Sequence, residues 1–343
     1  MHSHVSVLRP ALKVIFLLVS LLTLARILQA QETPCQTRLL PVFVADKDGN
    51  PLRSLSAPDF KLEVHGTPSS VLSWNPDGRR HRVVILLDAS DSMKGVRGPW
   101  FWHSVMAIAQ FIAAIESDNA QFALIVFSDQ VVDTVDFSKG NAAVRRRMEE
   151  IAKDPAFAER QNKRGTGIFD ALKEGLHQLD SPTSADSLLV ITDGADEGSK
   201  TRPDEILKLV SGPMVRLFSI LVIDPVFTGP MQTSELLDLV QKSGGSVLGP
   251  VDLRKAGLTI SSNNPESRKV FSDTLIQFYR GILQNDLMTI QVSGDLTKGR
   301  PLRLSLSDSA QHQWKHAHIF YPHEIGLCRA SDPPEKVPAT KAL

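Results

Sequence analysis

Between residues 82 and 283 the apolar positions follow two alternating rhythms. The stretches "RVVILLDAS" (82–90), "AQFALIVFSD" (120–129), "DSLLVITDG" (186–194) and "VRLFSILVID" (215–224) are short and almost continuously apolar. That is the pattern of strands buried on both faces. Between them the period lengthens. In "WFWHSVMAIAQFIAAIES" the residues Phe101, Val105, Ile108, Ile112 and Ile115 recur at helical spacing. "NAAVRRRMEEIAK", "GTGIFDALKEGLHQL", "PDEILKLVS", "TSELLDLVQKSG" and "PESRKVFSDTLIQFYRGIL" (265–283) read as further helices, and "VVDTVDFS" and "GSVLG" as short strands. The three arginines of the second helix form a solvated face. Strands separated by helical crossovers predict an α/β fold, a doubly wound and mostly parallel sheet with helices on both faces.

The flanks have a different rhythm. Residues 38–74 read as short strands around the turn signal "DKDGNP", and "NPDGRRH" (75–81) is a polar linker. "LMTIQVSG", "PLRLSLSD" and "KHAHIFYP" return to strand patterns near the C-terminus. The expected division is a β segment over 35–77, the α/β domain over 82–285, and a second β segment over 286–328. The two β segments together build one small β-domain, and 329–343 is a disordered tail.

The N-terminus reads as a targeting segment, residues 1–30. Arg9 and Lys13 precede the apolar run 14–25, which is short of the ~20 residues a spanning helix needs. Ala30 offers a cleavage point, although Leu28 is a poor match to the small residue wanted before it. An uncleaved anchor reaching through Ile27 and Leu28 is the alternative, and Arg26 interrupts it. The expectation is an exported chain, periplasmic or secreted, without a stable membrane span after cleavage. Its only two cysteines, Cys35 and Cys328, flank the mature chain. Export and an even count predict a disulfide between them, two buried free thiols being the alternative.

Composition adds little beyond exclusion. The 343 residues are 42% hydrophobic and 22% charged, with 38 Lys plus Arg against 38 Asp plus Glu. No nucleic-acid footprint or strongly basic membrane-binding face is expected from that balance.

The chemistry lies where the buried strands end. In an open α/β sheet the binding crevice opens beyond the carboxyl ends of the strands. Three polar clusters belong there: Asp88, Ser90 and Ser92; Thr166 at the start of a helix; and Asp193 after another strand. Three hydroxyls and two carboxylates, with no Cys or His, suit a hard cation, Mg²⁺ or Mn²⁺ and less so Ca²⁺. Each cluster has a plainer reading. Ser92 or Thr166 could cap a helix, and Asp193 could simply begin an Asp-Gly turn. Asp196 and Glu197 read as a solvated rim. Trp100 and Trp102 read as cover for a helix end, or as a contact rim for a partner. His316 and His318 would share one face of a surface strand rather than hold zinc.

Taken in order, "DASDSM", "GTGIFDAL" and "ITDGADEGS" resemble the metal-ion-dependent adhesion site (MIDAS) of the von Willebrand factor type A domain. "VADKDGNPLRSLSAPDFKLEVHG" is similar to the segment that precedes the A domain in the related proteins of Acidobacteria. The resemblance implies that Ser90 and Ser92 bind the metal directly. Thr166 would do so directly or through water, and Asp88 and Asp193 mostly through water. It further implies adhesion to a protein partner whose Asp or Glu completes the coordination, with no catalysis. A metal-dependent hydrolase, and a scaffold with a vestigial metal site, are the alternatives. Against the first, no His or Glu accompanies the cluster at a spacing that would supply a base.

Overall fold

The computed structural model describes residues 37–94, 100–115, 119–154, 157, 165–223, 233–252, 255–256, 264–292 and 299–326. The targeting segment, Cys35, Cys328 and the tail lie outside these residues.

Two sheets organise the chain. The central one contains β4 (His81–Asp88), β5 (Ala120–Phe127), β6 (Val131–Val135), β7 (Asp186–Thr192), β8 (Arg216–Ile223) and β9 (Val247–Asp252), in the order β6-β5-β4-β7-β8-β9. All its pairings are parallel except β5 with β6. Strand order reverses at β4, with β5 on one side and β7 on the other, which creates the switch point where crevices open.

Alternation along the strands decides which helix goes where. Val83, Ile85 and Leu87, with Phe122, Leu124 and Val126, point to one face. There they pack on α1 (Trp100–Ala114), α2 (Asn141–Lys153) and α6 (Pro265–Leu283). Val84 and Leu86, with Ala123 and Ile125, point to the other. That face is covered by α3 (Ile168–Gln178), α4 (Pro203–Ser211) and α5 (Ser234–Lys242). Each fully buried Leu or Ile contributes about 1.5–3 kcal/mol, so the sheet is a rigid base and its terminal loops can carry polar groups. Phe101, Val105, Ile108 and Ile112 of α1 are buried, as their spacing predicts.

The flanking segments meet in a second, antiparallel sheet. Its members are β1 (Thr37–Ala45), β2 (Phe60–Val64), β3 (Thr67–Pro76), β10 (Asp286–Gln291), β11 (Arg300–Leu306), β12 (His318–Phe320) and β13 (Glu324–Ile325), ordered β12-β1-β10-β3-β2-β11-β13. A short helix, α7 (Asp308–Gln313), follows β11. β12 is shorter than "KHAHIFYP" predicts. His316 lies in the turn before it, so His316 and His318 do not share a strand face.

A buried cation fastens the end of α6, which runs directly on into β10. Arg216, at the start of β8, donates to the carbonyls of Gly281 (3.1 Å) and Ile282 (2.8 Å) and to Asn285 Oδ1 (2.9 Å). The first two carbonyls belong to the last turn of α6, the negative end of its dipole. Met214, in the loop before β8, inserts into the core of the second sheet.

Candidate metal centre

β4 ends in Asp88, which is completely buried. Its Oδ1 accepts the Ser90 N–H at 2.9 Å and its Oδ2 accepts the Thr192 hydroxyl at 2.6 Å. Thr192 is the last residue of the neighbouring β7, and its Oγ1 in turn accepts the Gly194 N–H at 3.0 Å. That bond requires the chain to turn at once after Asp193. Gly194 does so at φ +91°, a conformation that L side chains avoid. Burial raises the Asp88 carboxyl to about 7, and the charge of Asp193 adds to the rise against the hydrogen bonds from Ser90 and Thr192. Two carboxylates are thus brought close enough to repel each other.

The chain leaves β4 through one further ladder bond, Ala89 N–H to Phe127 O at 2.8 Å. It then winds into a single tight turn over Asp91–Lys94. Within this turn the Ser90 and Ser92 hydroxyl oxygens are 3.1 Å apart. Ser92 is exposed and Ser90 is buried. Because α1 starts at Trp100, Ser92 is not its cap. Trp102 is buried and stacked on Phe157 at 6.4 Å, which makes it core rather than rim.

Thr166 is buried, wedged between the end of β5 and the loop after β7. Gly167 N–H donates to Ser128 O at 2.7 Å, while the Thr166 carbonyl accepts from Glu197 N–H (3.0 Å) and Gly198 N–H (3.1 Å). The three clusters therefore lie at the carboxyl ends of the adjacent strands β5, β4 and β7.

Asp196 departs from expectation. Glu197 is exposed, but Asp196 is half-buried and its Oδ1 accepts the Ile168 N–H at 2.7 Å, the first amide of α3. Ser199 Oγ accepts the next two, from Phe169 (2.9 Å) and Asp170 (3.2 Å). Sequence reasoning missed both roles, and that of Thr192, because the partners lie on distant segments. The one local trace is the Asp-x-x-Ser spacing, which puts Ser199 Oγ 2.6 Å from Asp196 Oδ1.

Among the described residues no three His, Cys, Asp or Glu side chains gather as metal ligands. The group at the strand ends has only two carboxylates, and its remaining donors are hydroxyls. These donors fit a small hard cation. Two oxygens occupying adjacent corners of a Mg²⁺ octahedron, each about 2.1 Å from the ion, are about 3.0 Å apart. Ser90 and Ser92 hold nearly that spacing through a hydrogen bond between their hydroxyls.

No curated protein matches the chain. Several solved structures resemble it at low identity. One is an aerotolerance-related membrane protein from Bacteroides fragilis (14% identity, 58% of this chain and 98% of that chain, TM-score 0.40). Another is a von Willebrand factor type A protein from Catenulispora acidiphila (14%, 80% and 75%, TM-score 0.41). A third is proximal thread matrix protein 1 from the mussel byssus, with a zinc-occupied MIDAS motif (13%, 63% and 48%, TM-score 0.42). Residues 83–195, which run from the second residue of β4 through β7 and the turn after it, match the family model of the von Willebrand factor type A domain, and the chain carries a domain of that type.

Proposed function

We propose that this protein is exported and binds another protein through a divalent cation, Mg²⁺ or Mn²⁺ in preference to Ca²⁺. Ser90, Ser92 and Thr166 would hold the ion, with Asp88 and Asp193 acting through water. The observation that carries the reading is the 3.1 Å spacing of the Ser90 and Ser92 hydroxyls. Both oxygens of Asp88 already accept hydrogen bonds, which suits a carboxylate that stays behind the first ring of ligands. Neutral hydroxyls leave the ion's charge open to an external anion, so the partner presents an Asp or Glu. The bound ion supplies positive charge for that carboxylate.

The protein acts by binding rather than catalysis in this reading, since the five residues include no nucleophile paired with a base. The basic and apolar leader supports export. Among the described residues no helix is long and apolar enough to cross a membrane. The test is capture of partners from the extracytoplasmic fraction with and without EDTA. Binding is expected to disappear in EDTA and return with Mg²⁺ or Mn²⁺. Partners that stay bound in EDTA would show that another surface does the work. Turnover of phosphoesters or peptides by the metal-loaded chain would instead point to a hydrolase.

A further inference from the structure

The first turn of a helix leaves amide N–H groups that need acceptors. α3 has no acceptor of its own, because its N-cap is Gly167. Asp196 and Ser199 supply them from the loop after β7, through the Ile168, Phe169 and Asp170 amides described above. The contact is returned from α3. Asp170 accepts the Thr201 N–H on Oδ1 at 2.8 Å and the Lys200 N–H on Oδ2 at 3.0 Å. With the Thr166 carbonyl accepting from Glu197 and Gly198, residues 166–170 and 196–201 form one reciprocal clamp.

The clamp joins two of the three clusters at the strand ends. Thr166 lies two residues before its first amide, and Asp193 lies three residues before Asp196. We infer, on the strength of the cation reading above, that Asp196 and Ser199 are positioning residues. They set the affinity for Mg²⁺ by fixing Thr166 and Asp193 relative to Ser90 and Ser92. Neither needs to touch the ion. Side chains that orient metal ligands from behind commonly change affinity by about 10–100-fold when removed.

The experiment is calorimetric titration of the full mature chain with Mg²⁺ and with Mn²⁺, together with melting in EDTA. Asp196→Ala and Ser199→Ala are each expected to bind about tenfold or more weakly. Asp196→Asn and Ser199→Thr keep an acceptor in place and are expected to recover most of that loss. A role confined to helix stability predicts something different, a lower melting temperature with unchanged affinity below the transition, and that result overturns the inference. If Asp196→Ala does not fold, Ser199→Ala and Asp170→Asn probe the clamp from its two sides. Asp88→Ala separates this inference from the reading beneath it. Binding lost in Asp88→Ala but intact in the clamp variants overturns the clamp alone. Binding unchanged in Asp88→Ala, or absent from the wild type, removes the cation reading and the clamp with it.

Discussion

Gly194→Ala attacks the turn on which the site's geometry depends. The added Cβ would lie 2.3 Å from Thr233 Cγ2 and 3.2 Å from Leu221 Cδ2, and the backbone would hold alanine at φ +91°. The left-handed backbone costs about 1–2 kcal/mol. Overpacking against the buried Thr233 adds about 1–3 kcal/mol. A loss of roughly 2–5 kcal/mol is therefore expected. Thr233→Ser removes the methyl that clashes, at a cost of about 1 kcal/mol by itself. The double variant should then recover the packing part and keep the backbone part, so the two changes are coupled by about 1–3 kcal/mol. Urea unfolding of the four proteins in EDTA measures this. The site should respond in parallel. Gly194 N–H holds Thr192 Oγ1, whose hydroxyl holds Asp88, so Mg²⁺ affinity should fall in Gly194→Ala and partly return in the double variant. A Gly194→Ala cost below about 1 kcal/mol, or a double variant no better than the sum of the singles, would refute the reasoning.

Asp88→Ala or Ser90→Ala should abolish Mg²⁺ and Mn²⁺ binding in calorimetry while circular dichroism stays native, because both side chains, although buried, sit at the end of β4 outside the apolar clusters that hold the sheet to its helices. Burial, with the charge of Asp77 adding and Arg53 opposing, raises Asp286 to about 6 from 3.8. A carboxyl raised on folding contributes stability below its unfolded value and loses it as pH rises through its folded one. Asp286→Asn should therefore gain on the wild type between pH 4.5 and pH 7.5 in urea titrations, and a difference that stays constant or reverses would contradict this. Arg38 Nη2 reaches Gly212 O at 2.7 Å, and Gly326 N–H reaches the adjacent Ser211 O at 3.1 Å. The two ends of the described chain thus approach one turn, and a Cys35–Cys328 bridge is expected. Two titratable thiols in denatured, unreduced protein would rule it out.

The parts of the fold that sequence makes legible are those governed by local rhythm. The unbroken apolar runs ending in Asp88 and Thr192 are short enough to fit strands with both faces covered, and the spacing from Phe101 to Ile112 fits one buried face of a helix. The polar residues just past such strands stand out because nothing in a core requires them. What stays hidden depends on contact between distant segments. Asp196 looks like any acidic loop residue until α3, 28 positions earlier in the chain, supplies an amide for it. Thr192 reads as a strand residue, yet its hydroxyl holds a carboxylate 104 positions away. Ser92 next to an apparent helix start suggested a cap, and only the position of α1 removes that reading.

The most direct measurement is anomalous diffraction from crystals of the protein grown with Mn²⁺. A peak within coordination distance of both Ser90 Oγ and Ser92 Oγ, with Thr166 on its edge, is expected in the wild type and absent from Ser90→Ala. Manganese bound elsewhere with none between the two serines, or a peak that survives in Ser90→Ala, would contradict a cation site at the end of β4.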